Sequence, residues 1–355
     1  MQGIDGSEVA VRGEVLPRQA YVNTLRQHLA PEVFQPVARR LWWMLFYFSV
    51  VGLAVAVVLG TPNLLARFIA AVAMGHCLGV LGFLGHEILH GTVIRNRRLL
   101  LFCGGICMAN WGIHPRAWIA WHNREHHQQT QHGFDDPDCF GREELYRHSK
   151  LLRILEPFTP GSGRLRSGLF LFFWFSFHAA FVIFTHPKLF QARRERWRMR
   201  IYLVATQVIW AAASLLAVGP LGILFLMVIP LAFSNFVMMS YVATNHFISP
   251  LTEDANDPLV NSLTVRSNGL VERFHLYNNF HVEHHVLPYV NPVHAPRIAG
   301  KLREIWPEKY QELSHLAALR RVYASPKFYK EDTVLINPRT RKTVRTLLAH
   351  YLSGG

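Results

Sequence analysis

The sequence predicts an all-α membrane protein that crosses the bilayer several times. Half of the 355 residues are hydrophobic and only 17% are charged. The apolar residues are collected into long runs, and residues 41–60 contain no charged side chain. A run of this length can cross a hydrocarbon core about 30 Å thick. We expect helices because a chain in lipid must satisfy its backbone hydrogen bonds internally.

Four apolar runs are predicted to span the membrane and two to lie at its surface. The predicted spans are residues 41–60, 64–85, 201–218 and 221–244. Residues 99–113 are too short for an ordinary span, so we expect an interfacial or re-entrant segment. Residues 169–185 are at the lower limit for a span, and crossing would carry the arginine-rich stretch 193–200 to the outer side. We therefore expect this run to stay in the interface.

The chain divides into three predicted segments. Residues 1–40 form an N-terminal cytoplasmic or interfacial segment, residues 41–300 the membrane domain, and residues 301–355 a C-terminal cytoplasmic helical tail. The first sixteen residues lack the apolar core of a cleavable signal peptide. The formal net charge is +14, and basic residues such as Arg39 and Arg40 flank the apolar runs. This pattern predicts a cytoplasmic N-terminus and contact with anionic lipids, and it does not favour a nucleic-acid partner.

Three histidine clusters have the spacing of metal ligands. Side chains three or four residues apart share one face of a helix, so we expect each cluster to present its imidazoles toward one point. Eight converging imidazoles exceed what one tetrahedral ion can use, and two metal ions are therefore predicted. The clusters are His86 and His90; His122, His126 and His127; and His281, His284 and His285.

Two other classes of metal protein fit the pattern less well. A membrane metal transporter would place its ligands at the bilayer midplane, on broken spanning helices. These clusters lie just outside the apolar runs instead. A zinc hydrolase needs three protein ligands and one open position, which would leave five imidazoles without a role.

Carboxylates within and near the clusters are predicted to accept hydrogen bonds from ligand imidazoles. The candidates within the clusters are Glu87, Glu125 and Glu283. For Asp135, Asp136 and Asp138 the alternative is capping of a loop. His76 and His178 lie inside apolar runs and are interpreted as neutral, hydrogen-bonded side chains.

The order and context of the clusters resemble the membrane fatty acid desaturase superfamily over roughly residues 40–300. Relatives in it include hydroxylases, alkane oxidases and carotenoid ketolases. The features that carry the resemblance are HxxxH after the second span, a second cluster ending in His-His, and residues 279–285, NFHVEHH, after the last span. The resemblance implies a centre of two non-haem iron ions whose ligands are the eight clustered histidines. It adds His246, near the end of the last span, as a ninth ligand. Val242 stands where some members have an asparagine.

The resemblance also implies the reaction. We expect an enzyme of the desaturase type, an oxidoreductase that uses O2 to oxidise unactivated C–H bonds of a fatty acid or fatty acyl chain. Oxidative decarboxylation of free fatty acids to 1-alkenes and lipid hydroxylation remain alternatives. The sequence has no dinucleotide fingerprint and no cysteine set for an iron–sulfur cluster. A separate electron donor of the ferredoxin, rubredoxin or cytochrome b5 type is therefore expected. The expected location is the bacterial inner membrane, with the site facing the cytoplasm.

Overall fold

The computed structural model describes residues 14–353, and this part of the chain is mostly helical. The helices up to the middle of the chain are α1 (Arg18–His28), α2 (Leu41–Gly60), α3 (Leu64–Leu89), α4 (Arg97–Cys107), α5 (Pro115–Trp118), α6 (Glu143–His148), α7 (Lys150–Leu155), α8 (Phe170–Thr185) and α9 (Arg193–Val218). They are followed by α10 (Pro220–Gly222), α11 (Ile229–His246), α12 (Pro258–Asn261), α13 (Gly269–Phe274), α14 (His281–Val286), α15 (Ala295–Ile305), α16 (His315–Ala324) and α17 (Ala349–Ser353). Two π-helices cover Ile119–His126 and Ile223–Val228.

Five helical stretches among the described residues are long and apolar enough to cross a membrane. They are Ala38–Gly60, Leu64–Leu89, Leu165–Thr185, Arg193–Val218 and Pro220–His246. Four of them contain the runs that were predicted to span. The fifth contains residues 169–185, the run at the lower limit of length that was predicted to stay in the interface. It reaches 21 residues because a 3-10 turn, Leu165–Leu169, continues directly into α8. Its length alone therefore does not exclude a crossing.

Helices α3 and α11 form the centre of the molecule. At the start of α3, the side chain of Asn63 accepts a hydrogen bond from the backbone N–H of Ala66 and caps the helix. Small residues let the two helices approach closely: a methyl group at Gly75 would lie 2.6 Å from the carbonyl oxygen of Pro230, and one at Gly79 would lie 2.7 Å from Cβ of Val237. This packing holds the two helix ends that carry His86 and His246 on the same side of the molecule.

Five short strands within residues 14–353 depart from the predicted all-α fold. Strand β1 (Thr264–Arg266) pairs in parallel with β2 (Glu312–Ser314), whereas β3 (Phe328–Glu331), β4 (Val334–Ile336) and β5 (Thr343–Arg345) form an antiparallel sheet. Strands of three or four residues are too short to give a detectable alternation of apolar and polar positions. Residues 301–355, which were expected to form a helical tail, thus contain both helices and strands within their described part.

Candidate metal centre

The structure brings all nine sequence-predicted histidines together in two adjacent groups. The possible ligand atoms of each group lie within 4.8 Å of one another. The larger group contains His86, His90, His122, His127 and His284. The smaller group contains His126, His246, His281 and His285. The side chains come from the end of α3, the first π-helix, the end of α11 and α14, and they are buried or nearly so.

The second cluster was expected to present its three imidazoles toward one point, but the structure divides them between the two groups. Residues 119–126 form a π-helix, and the backbone N–H of His127 donates to the carbonyl oxygen of His122, five residues earlier. An i to i+5 repeat places His122 and His127 on the same face, with their Nε2 atoms 3.2 Å apart. His126 belongs to the smaller group, although its ring also stacks on that of His122 with the centroids 5.1 Å apart. The expectation was wrong because it assumed α-helical spacing.

The third cluster is divided in the same way between the two groups. On α14, His281 and His285 are four residues apart and share a face, with their Nε2 atoms 3.0 Å apart. The Nε2 atom of His284 lies on another face and is 3.0 Å from Nε2 of His127 in the larger group. Each of these two clusters therefore contributes to both groups.

In the larger group the ring nitrogens converge without a polar partner between them. The Nε2 atoms of His86 and His122 are 2.9 Å apart, and buried Nε2 of His90 has no hydrogen-bond partner among the described residues. A neutral imidazole carries only one N–H, so a set of facing nitrogens presents mostly lone pairs. Such a set fits a bound cation, and imidazole is a suitable ligand for iron.

In the smaller group the outer nitrogens are held by hydrogen bonds. Nδ1 of His246 is 2.9 Å from the carbonyl oxygen of Asn261, which can only accept. Nδ1 of His285 is 3.3 Å from Oγ1 of Thr130. An outward Nδ1–H leaves the Nε2 lone pair facing the group, and such outer hydrogen bonds also fix the orientation of metal-binding histidines. The Nε2 atoms of His246 and His281 lie 2.7 Å apart.

Burial keeps most of these imidazoles neutral. It lowers the pKa of His90, His122, His127 and His284 well below the usual value, and neighbouring imidazoles lower each of them further. The same causes lower the pKa of the His281 and His285 side chains. Neutral imidazole is the form that binds metal, so these six side chains can bind a metal ion at neutral pH without first losing a proton.

His126 is the exception, because it lies between two carboxylates. Burial acts to lower its pKa, but the negative charges of Asp136 and Asp138 outweigh burial and raise the pKa to about 9. The distance from Nδ1 of His126 to Oδ1 of Asp136 is 2.9 Å. Asp136 therefore fulfils both alternatives that the sequence left open. It accepts a hydrogen bond from a clustered histidine, and it also caps the loop by accepting from the backbone N–H groups of Gln131 and Asp138. Asp135 instead lies 3.4 Å from His132, outside both groups.

The glutamates within the clusters do not serve the histidines, and that prediction was wrong. Glu87 is buried and accepts from the guanidinium of Arg40, at 3.0 Å from Nε. Glu283 accepts from the hydroxyls of Thr264 at 2.6 Å and Tyr310 at 2.5 Å. The side chain of Glu125 has no hydrogen-bond partner among the described residues. The two buried glutamates hold neighbouring segments together and thereby position the helix ends that carry the histidines.

Arg40 is a positioning residue, although its place in the sequence indicated only which side of the membrane the N-terminus lies on. It is 4% exposed, pairs with Glu87 and also donates to the carbonyl oxygen of Leu276 at 3.1 Å. Leu276 and Tyr277 both have a φ of +61°, which is strained for residues with a side chain. Arg40 thus joins the end of α3 to the bent segment that leads into the third cluster. Nothing in the local sequence distinguishes it from a basic residue flanking a membrane span.

Replacing Asp136 with asparagine is expected to weaken metal binding by about 10- to 100-fold, the usual effect of removing an outer hydrogen-bond partner. The amide is neutral, so His126 loses the charge that orients and polarises its ring. Metal affinity measured by titration of apoprotein would test this. The matched control is Asp135→Asn, which removes a carboxylate next to it that does not contact either group. Equal affinities for wild type and Asp136→Asn would contradict the assignment.

An apolar cavity of about 430 Å³ opens beside the histidines. Imidazoles of both groups reach it, through His122 of the larger group and His126, His246 and His281 of the smaller group. Aromatic side chains form much of the wall, including Trp118, Trp121, Trp174, Phe175, Phe177 and Phe181. Val242 also lines the cavity, which gives this position a role in shaping its surface.

The histidines in the apolar runs have polar partners, as predicted. Nε2 of His178 is 2.9 Å from Oδ1 of Asp138, and this carboxylate also accepts from the indole N–H of Trp121 at 2.7 Å. His178, Trp121 and Asp138 all line the cavity. His76 lies away from the two groups, with its Nε2 3.3 Å from that of His275.

A family model described as "Fatty acid desaturase" matches residues 62–317 of this chain. The matched region begins just before α3 and includes every histidine of the two groups. No curated protein matches the chain.

Proposed function

This chain belongs to the fatty acid desaturase family, and on that premise we propose that it is a membrane-bound oxidase with two non-haem iron ions. It uses O2 and external electrons to oxidise an unactivated C–H bond of a fatty acid or fatty acyl chain. The observation that carries the proposal is the contact between the site and the cavity: imidazoles of both histidine groups form part of the wall of an apolar space.

The proposed ligands are the nine histidines. His86, His90, His122, His127 and His284 would hold one iron ion, and His126, His246, His281 and His285 the other. When bound, such ions supply the redox chemistry that reduces O2 and removes hydrogen from carbon. The donor set contains only neutral nitrogen ligands, and Asp136 contributes its charge through His126.

The remaining residues bind and orient the substrate. An apolar chain in the cavity would be held between aromatic side chains, so that one methylene faces the histidine groups. Trp118 stacks on His122 with ring centroids 4.5 Å apart, which fixes both the wall and the ligand. Asp138 is bonded to Trp121 and His178 and stabilises the opposite part of the wall. Such positioning can lower a reaction barrier by several kcal/mol.

A metal transporter is the non-enzymatic alternative, and the geometry does not favour it. The histidines come from the ends of α3 and α11 and from segments outside these helices. A transport site is expected near the midplane, between broken spanning helices.

The reaction can be tested with deuterated fatty acids supplied to membranes that contain the protein, a reductase and a donor of the ferredoxin, rubredoxin or cytochrome b5 type. We expect an O2-dependent product of the desaturase type, detected by mass spectrometry as the loss of two hydrogens. Loss of CO2 would identify the decarboxylase instead, and gain of oxygen a hydroxylase. Membranes with the His90→Ala variant are the control. Purified protein that holds zinc without iron, together with no O2-dependent product, would sink the proposal.

We also propose that four of the five candidate spans cross the membrane and that α8 does not. Contacts at both ends of α8 support this proposal. At its start, the ring of Phe170 is 6.0 Å from that of Phe247, which follows α11 on the side of the histidine groups. At its end, the carbonyl oxygen of Phe184 accepts a hydrogen bond from Arg200, near the start of α9. In its middle, the backbone N–H of Ser176 donates to Asn235. These contacts support a helix that dips into the bilayer obliquely and returns. They leave an even number of crossings between α3 and the end of α11.

Cysteine labelling tests this topology. A cysteine at Arg193 is expected to react with an impermeant maleimide only from the side of the histidine clusters, which we propose is the cytoplasm. Cysteines at Glu144 and Asn63 are the same-side and opposite-side controls, in a chain whose half-buried Cys139 is replaced by serine. If Arg193→Cys is labelled from the same side as Asn63→Cys, α8 spans the membrane and the four-span proposal fails.

A further inference from the structure

A second groove lies on the other side of α5 from the cavity. It has a volume of about 520 Å³ and lies between α4, α5 and the start of α9. One part is apolar and includes Phe102 and Ile106, whose side chains are 65% and 39% exposed. The other part is polar and is formed by His114, Arg116, Arg198 and Tyr202. The groove is therefore amphipathic along its length.

The polar part carries positive charge that nothing in the chain neutralises. Arg116 and Arg198 are exposed, and neither guanidinium has an ion pair or a hydrogen-bond partner among the described residues. None of the described residues that line the groove is acidic. Nδ1 of His114 accepts from the backbone N–H of Arg116 at 3.1 Å, which places the proton of the neutral ring on Nε2 as a donor. This end of the groove thus presents positive charge and hydrogen-bond donors, and no negative charge from the described lining residues.

The position of the groove matches the depth of lipid headgroups. Arg198 belongs to the basic first two turns of α9, and the apolar part of that helix begins at Ile201. On α4, Asn96 caps the helix beside the basic pair Arg97 and Arg98, and apolar residues follow. A basic end beside an exposed apolar surface is what a phospholipid requires, because its phosphate lies at the interface and its acyl chains lie below it.

We propose that this groove is a specific binding site for an anionic phospholipid. The phosphate lies against Arg116 and Arg198, with His114 and Tyr202 as hydrogen-bond donors, and an acyl chain covers Phe102 and Ile106. Arg116 is in α5, which continues directly into the π-helix that carries His122 and His126. A lipid bound here steadies the start of that π-helix. This inference does not depend on the reaction proposed above.

The test uses purified full-length protein, with phosphatidylglycerol as the probe and phosphatidylcholine as the neutral comparison. Binding is measured by native mass spectrometry during titration in detergent. Arg116→Gln/Arg198→Gln is expected to bind phosphatidylglycerol on the order of tenfold more weakly than wild type, since each basic contact at a membrane surface contributes a few-fold in affinity. The matched control is Arg193→Gln/Arg194→Gln, which removes two exposed charges from the same helix outside the groove. This control is expected to bind within about twofold of wild type.

Three outcomes would overturn the site. Equal losses in the two double variants would mean that the basic surface attracts anionic lipid without a specific groove. If the wild type bound phosphatidylcholine as tightly as phosphatidylglycerol, the anionic headgroup would have no role in recognition. Displacement of phosphatidylglycerol by a stoichiometric free fatty acid would mean that the groove binds a carboxylate instead. If the double variant aggregates during size-exclusion chromatography, the single variants Arg116→Gln and Arg198→Gln are each expected to show a few-fold loss, and wild-type affinity in both would equally reject the site.

Discussion

Replacing His90 with alanine is expected to remove iron from the larger group and abolish turnover while the protein still inserts into the membrane. Nε2 of His90 is buried, and no residue in the described part of the chain is hydrogen-bonded to it. The other nitrogens of that group already contact one another, so no neighbouring side chain is free to replace it. We expect the same result for His284→Ala, because His284 reaches the group from a different helix.

Iron content per purified chain and O2-dependent product formation measure this effect. His148→Ala is the control, since His148 is an exposed histidine on α6. Persistence of full activity in either His90→Ala or His284→Ala would disprove the assignment of two iron ions to the nine histidines.

His246→Ala is expected to cost iron binding as severely as a change within the three clusters. His246 closes the smaller group, with its Nε2 2.7 Å from that of His281 and its Nδ1 held by the carbonyl oxygen of Asn261. Without it, the smaller group falls from four imidazoles to three. His246→Gln is expected to restore part of the iron content, because an amide oxygen can reach the same place.

Iron quantitation on the two purified variants decides the role of His246. A packing role predicts near wild-type iron in both, and retained iron in His246→Ala would remove this residue from the ligand set. His315→Ala is a suitable comparison, because His315 is a half-buried histidine that contacts the same helix through the carbonyl oxygen of Ser240 but lies outside both groups.

The sequence predicts that the histidines of the three clusters come together, but not which histidine belongs to which of the two groups. Their spacing is sufficient to predict convergence of the three clusters, since any helical geometry brings residues three to five apart to neighbouring faces. The division of His122, His126 and His127 between two groups depends on a π-helix, and its i to i+5 hydrogen bonds leave no periodic signal in so short a segment. His246 has no cluster around it, so only the family resemblance brought it into the predicted site.

Contacts between distant segments explain the other differences. Arg40 and Glu87 look in the sequence like a flanking charge and a member of a histidine cluster, yet they form a buried ion pair. Thr264 and Tyr310, which hold Glu283, are likewise far from it along the chain. The candidate spans, in contrast, follow from local hydrophobicity. Their ends lie within four residues of the predicted runs, except that the helix Arg193–Val218 begins eight residues before the run 201–218. Local patterns thus predict the long apolar helices, and tertiary contacts decide which side chains hold the site together.

The first and third histidine clusters are far apart along the chain, and this separation has a consequence for biogenesis. His86 and His90 leave the ribosome early, whereas His281, His284 and His285 are synthesised after all of the candidate spans. Neither histidine group is complete until then, because each requires at least one residue of α14. Metal loading is therefore a late step in maturation. Contacts between residues so far apart along the chain form slowly, so the proposed metal ions would bind to a chain whose candidate spans have all been synthesised and which is completed as a site only by α14.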